Sequence, residues 1–193
     1  MLTKITSAIL IALYFVGLFY PETIKAVSVT TSSEWWSLFA YAFFHQNIFH
    51  LLINVLVFYS FGQVVESAIG KREFPQVLIL SAFITSLPYW IFPLSELPLI
   101  GFSGVVYFVF AAFTGFFPYI SVSVLFVKTS FPVRLVFFTI FGVEAGLFAA
   151  NLILDLTPIA HISHLIGLSL GLLYAYRKRG SMTYIHTSNF DKK

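Results

Sequence analysis

Cysteine is absent from all 193 positions, which excludes a disulfide framework and any thiolate chemistry, catalytic or metal-binding. Charge is scarce as well. Asp, Glu, Lys and Arg together make up 10% of the chain, against about a quarter in a soluble domain. The net charge of +3 sits in joints and in the tail, so no basic patch of the kind that binds nucleic acid is present. Internal repeats and low-complexity tracts are also missing. What fills the space is apolar: 59% of residues are hydrophobic, with 24 Phe among them. A water-soluble protein of that composition would expose large adhesive patches. The natural solvent is therefore a lipid bilayer.

A spanning helix needs roughly 20 mostly apolar residues. Runs that meet this need lie at about 5–20, 45–66, 74–93, 103–120, 135–154 and 159–176. The joints between them are "YPETIK", "GKREF", "PLSELP", "VKTSFPVR" and "DLTP". Spans built on these runs must be helical, because lipid leaves an open sheet edge unsatisfied. The expected fold is an all-α membrane protein, a bundle of six transmembrane helices over residues 1–176 with a polar tail at 177–193. "PYISVSVLFVK" alternates like a strand, but its place before the fifth helix reads as a loop or interfacial segment. Of the 11 Lys and Arg residues, only Lys25 falls on the outer side if the amino terminus is inside. That bias places both termini in the cytoplasm. With no transit segment evident, a prokaryotic cell membrane is the simplest host.

Polar groups in lipid are costly, so their positions point to function. Ser103 opens the fourth helix in "GFSGVVY". His45, His50 and Asn54 lie in the outer half of the second, and His161 and His164 in the outer half of the sixth. Three helices thus bring hydroxyl, imidazole and amide groups to one depth.

A serine hydroxyl becomes a nucleophile when a base takes its proton. In the first turn of a helix it also lies beside unpaired N–H groups that favour a developing oxyanion. Gly101 lets the preceding loop bend, and Gly104 lets another helix approach. "GFSG" alone is equally a helix N-cap. In "HISHLIGLSLGLL", His164, Gly167 and Gly171 share a helical face. The two glycines have the small-xxx-small spacing that packs membrane helices closely. Packed on the fourth helix at Gly104, that face would carry His164 to Ser103. Tyr107, one turn below the serine, would steady the imidazole. His164 taken alone reads as well as a packing histidine. His50 and Asn54, at i and i+4, can donate hydrogen bonds to an oxyanion or serve as polar glue between helices. His45, nearer the loop, reads either way.

Together these stretches resemble the rhomboid intramembrane serine proteases. "HQNIFHLLIN" followed by "FGQVVE", then "GFSGVVY", then "HLIGLSLG" occur in that family's order on its second, fourth and sixth helices, and the resemblance covers about residues 35 to 176. It implies Ser103 as nucleophile and His164 as general base, a dyad without a carboxylate and without a cofactor. His50, Asn54 and the Ser103 backbone N–H would form the oxyanion hole, with Gly101 and Tyr107 shaping the site; Gly104 and His45 are counted with them from their own positions. Glu66 matches an acidic residue with a structural role. The substrates implied are transmembrane proteins cut near the outer face, entering between the second and fifth helices as a loop near Glu34 or Asp155 to Pro158 moves aside. A catalytically inactive relative that binds membrane clients is the alternative.

Three features depart from the family. The first-loop Trp-Arg is here Trp36 followed by Ser37. His161 falls outside the His-x-x-Gly register that His164 satisfies, and reads as a loop-proximal neighbour. Glu144, inside the fifth apolar run, has no assigned role. A metal centre on the histidines is disfavoured, because HExxH is missing and no carboxylate is expected near the outer cluster. A carrier would be expected to show repeats and broken helices at mid-membrane.

Overall fold

The structure, a computed structural model, describes residues 1–93, 98–123, 129–154 and 160–179. Six long helices carry it: α1 (Leu2–Phe19), α4 (Ile48–Ile69), α5 (Glu73–Ile91), α6 (Ser103–Phe116), α7 (Val133–Leu154) and α8 (His161–Arg179). Two short helices, α2 (Pro21–Val27) and α3 (Ser37–Ala40), and a 3-10 turn at Tyr41–Phe43 occupy the long connection from α1 to α4. Helix ends follow local chemistry. Pro21 opens α2, where its missing N–H costs nothing. The Asn47 side chain caps α4 by accepting the His50 N–H at 2.9 Å. Gly70 ends α4 at φ 89°, a conformation that suits glycine.

Among the described residues, four helices are long and apolar enough to cross a membrane: Leu2–Phe19, Ile48–Ile69, Glu73–Ile91 and Val133–Leu152. The protein is thus a multi-pass membrane protein, mostly helical. Two expectations shift. His45 falls in the extended link before α4 rather than inside a helix. The fourth helix stops at Phe116, short of 120, because Phe117 leaves the helical region and Pro118 follows. The alternating stretch after it is no mere loop. Ser121–Ser123 (β1) pairs antiparallel with Ser130–Pro132 (β2), so its strand-like alternation marks a real if short hairpin. At the other end α8 runs on through Arg179, past the expected start of the tail at 177. The remainder of the tail lies outside the described residues.

α6 is the axis of the molecule. Every one of its 14 residues except Tyr107 is buried. Lipid gives helices no hydrophobic reason to associate, so close packing must do it. It does so here through small residues. A Cβ built on Gly167 would strike the carbonyl oxygen of Gly104, and one on Gly171 that of Phe108. A Cβ on Gly115 would meet that of Ala175 at 2.5 Å. The backbones of α6 and α8 therefore touch along their length. Phe58, Phe74 and Phe102 fill the space toward α4 and α5. Large apolar side chains such as Phe49, Ile53, Ile79, Leu135 and Phe138 point outward, as lipid-facing residues do. α7 is the least buried of the four candidate spans, with 11% of its window inside.

The first loop is held without the family's arginine. Val29 and Leu99 exchange backbone hydrogen bonds at 2.9 Å. Trp90 Nε1 donates to the Ser33 carbonyl, and Ser86 Oγ to that of Leu38. The buried Tyr41 hydroxyl bonds Thr85 and the Ala82 carbonyl, while the Tyr41 carbonyl receives the Gly101 N–H at 3.1 Å. That last bond fixes the turn leading into Ser103. At the other ends, the buried Glu66 carboxylate accepts from the Leu2 and Thr3 N–H groups and the Thr3 hydroxyl, satisfying the start of α1. Glu73 accepts from Tyr174 and Lys178, which ties the start of α5 to the end of α8.

Candidate active site

Ser103 is the first residue of α6, entered through Gly101 at φ 116° and Phe102. Its Oγ lies 2.8 Å from Nε2 of His164, in the first turn of α8. The approach depends on the glycine contacts described above, since Gly167 is one turn from His164 and rests on Gly104, next to Ser103. The Tyr107 ring stacks on the imidazole at 4.3 Å between centroids, tilted by 16°. Both partners are nearly covered: Ser103 is 8% exposed and His164 7%. The first turn of α6 supplies N–H groups with no intrahelical acceptor, the usual condition for holding an anion.

His50 stands against the turn before the serine. A Cβ on Gly101 would meet its Cε1 at 2.5 Å, so only glycine fits between the ring and this backbone. Its ring also meets that of His45 edge-on at 5.0 Å. Asn54 is buried, and its Nδ2 donates to Nε2 of His45 at 3.0 Å. The Phe102 N–H reaches the same nitrogen at 3.4 Å. His45 therefore braces both Asn54 and the residue before Ser103. Gly104 faces Thr85 and Ser163, whose oxygens a Cβ would meet at 2.8 and 2.7 Å.

One side chain of the cluster has no place in the sequence reading. Glu144 of α7 points into the cluster. Its Oε1 lies 3.1 Å from His164 Nδ1 and accepts the Tyr107 hydroxyl at 2.5 Å, and its Oε2 lies 2.7 Å from His161 Nδ1. This corrects two expectations. A carboxylate does stand beside the histidines, and His164 is not without an acidic partner. His161, the first residue of α8 and so next to the loop, is buried against the same carboxylate. The reason is topological: α7 presents one acid to a gap between α6 and α8 that no short-range motif describes. The signal was an ionisable residue in an otherwise apolar run, which is a functional candidate by default. Glu144, His161 and His164 also bring one possible metal-ligand atom each within 4.8 Å of one another. The Tyr107 hydroxyl and both imidazoles already occupy the carboxylate, and Nε2 of His164 is engaged by the serine.

Comparison with known proteins decides the family. The model of the Rhomboid domain matches residues 32–180, which include every site residue named above. This chain belongs to the rhomboid family. It is 31% identical over 145 residues to "Rhomboid protein 1, mitochondrial" of Saccharomyces cerevisiae, an alignment covering 72% of this chain and 41% of that protein. The chain thus spans about two-fifths of the length of the curated rhomboid it matches. Helix α1 lies ahead of the matched rhomboid domain, and Glu66 joins the two by capping it.

Proposed function

We propose that this rhomboid is an intramembrane serine endopeptidase, with Ser103 as nucleophile and His164 as general base. The observation that carries the reading is the 2.8 Å contact of His164 Nε2 with Ser103 Oγ at the N-terminus of a short, buried helix. Fourteen residues of helix rise about 21 Å, less than the roughly 30 Å of a bilayer core. With the inner end of α6 at the inner face, Ser103 lies roughly 10 Å below the outer one. That depth supports chemistry within lipid yet within reach of water from outside. The arrangement adopted is six spans with both termini in the cytoplasm and the site toward the extracytoplasmic side of a cell membrane. The polar end of the chain is read as a cytoplasmic tail on a single domain.

In the reaction, His164 takes the hydroxyl proton as Ser103 Oγ attacks a peptide carbonyl. The Ser103 N–H, His50 and Asn54 stabilise the oxyanion. An amide has two N–H donors, so Asn54 keeps one for this role while the other holds His45. His164 returns the proton to the leaving amine, and water then hydrolyses the acyl-enzyme. Substrates are transmembrane proteins whose helices unwind near the outer face, because helical carbonyls are already bonded. They enter between α4 and α7, a route that the low burial of α7 supports. Of the loops assigned to open it, Glu34 precedes α3, and Asp155 to Pro158 lie outside the described residues.

The test is cleavage of a transmembrane reporter in proteoliposomes by wild type, Ser103→Ala and His164→Ala, with EDTA in a parallel series. Cleavage by wild type alone, unaffected by EDTA, is expected. Cleavage by folded Ser103→Ala overturns the assignment. Cleavage abolished by EDTA and restored by zinc favours a metal on Glu144, His161 and His164 instead. A folded wild type that binds reporters without cutting them is an inactive rhomboid.

A further inference from the structure

Resting on the serine-protease reading, we propose that Glu144 is a positioning residue that completes a Ser103–His164–Glu144 triad, holding the base in its working tautomer and offsetting the charge it gains. An ionised carboxylate has no proton to donate. The Nδ1 atoms that His164 and His161 turn toward it at 3.1 and 2.7 Å must therefore both carry hydrogen. With Nδ1 protonated, a neutral His164 has a bare Nε2, the atom that faces the Ser103 hydroxyl at 2.8 Å. The carboxylate thus selects the tautomer that can act as base. The Tyr107 hydroxyl donates to the same carboxylate, a charge-assisted hydrogen bond that supports its ionised form.

The Ser103 proton moves to Nε2, and the Oγ electron pair forms the bond to the carbonyl carbon as the carbonyl π pair moves onto its oxygen, to return when the amine leaves. The imidazolium then donates Nδ1–H to Glu144, which keeps its charge and takes no proton. When the carbon–nitrogen bond breaks, the Nε2 proton leaves with the amine. The other groups facing the pair are Tyr107 and Ser103 from α6 and His161 from α8 itself, with His50 of α4 against the turn before the serine. None of them supplies a second negative charge. Isolated in an apolar helix, a carboxylate would be expensive. Here it is 7% exposed and both its oxygens are occupied by the base, its neighbour and the stacking tyrosine.

The experiment uses the full chain in micelles with a transmembrane reporter, comparing wild type with Glu144→Gln, Glu144→Ala and Glu144→Asp. Melting temperature checks folding. Glu144→Gln and Glu144→Ala should lower kcat about 100-fold, with KM within about twofold, because the lost interaction strengthens in the transition state. Glu144→Asp should recover at least about tenfold over Glu144→Ala. Nitrogen-15 spectra of the histidines should show wild-type His164 with Nδ1 protonated and Nε2 bare, and a mixture of tautomers in Glu144→Gln. Wild-type His164 protonated at Nε2 when neutral would overturn the proposal even if every variant failed to fold. So would a folded Glu144→Gln with wild-type kcat, or activity that needs added zinc. If wild type shows no Ser103-dependent cleavage, the protease reading fails first, and the spectra still report whether Glu144 sets the tautomer.

Discussion

Consider Gly167→Ala. One methyl group is added where the α6 and α8 backbones touch, and it collides with the carbonyl oxygen of Gly104. A backbone carbonyl cannot swing aside, so the helices must separate by on the order of 1 Å to restore van der Waals contact. Overpacking of this kind costs about 1–3 kcal/mol of stability. The larger effect falls on the chemistry. His164 is one turn away on the same rigid helix, and a 2.8 Å contact lengthened by about 1 Å is no longer a hydrogen bond. Misplacement of that size costs about 100-fold in rate. The assay pairs a melting curve in detergent with single-turnover cleavage of a transmembrane reporter. Gly167→Ala should lose both stability and rate, with KM nearly unchanged. Gly115→Ala strikes Ala175 at the far end of the same interface, about 18 Å from Ser103, and should lose stability while sparing the rate. Gly142→Ala and Gly146→Ala, with nothing within 4 Å of the new methyl, should change neither. Wild-type rate and melting in Gly167→Ala would refute the close-packed interface on which the site depends.

Other substitutions test the supports of the site. Gly101→Ala combines a φ of 116° with a collision against His50 at 2.5 Å, and should abolish cleavage while leaving a folded protein, as seen by melting and circular dichroism. Glu66→Ala strips three donors at the start of α1 of their acceptor and should lower stability by about 1–3 kcal/mol, with kcat retained in the surviving folded fraction.

The six apolar runs reported the long helices because lipid demands length and apolarity, and both are local properties of the chain. Ser103, His164 and their glycines were also readable, since each lies within a few residues of its own signature. What escaped was long-range. Glu144 meets Tyr107, His161 and His164 across separations of 37, 17 and 20 positions. No spacing rule links an acid on one helix to rings on two others. The partnership of Asn54 with His45 was hidden because His45 lies beyond the helix start, outside the i, i+4 face. The first loop was opaque for the same reason. Its anchors are backbone carbonyls and a buried tyrosine contributed by distant elements. The end of α6 at Phe116 was masked by the apolar residues that continue past it, since hydropathy does not register a backbone leaving the helix.

The most direct test of the account is covalent. The purified chain would be treated with a fluorophosphonate, which labels a serine only when a base activates it, and the adduct mapped by mass spectrometry. One adduct is expected, on Ser103, absent from Ser103→Ala and from folded His164→Ala, and unaffected by EDTA. An adduct on another residue, or labelling of Ser103 that persists in His164→Ala at the wild-type rate, would contradict it.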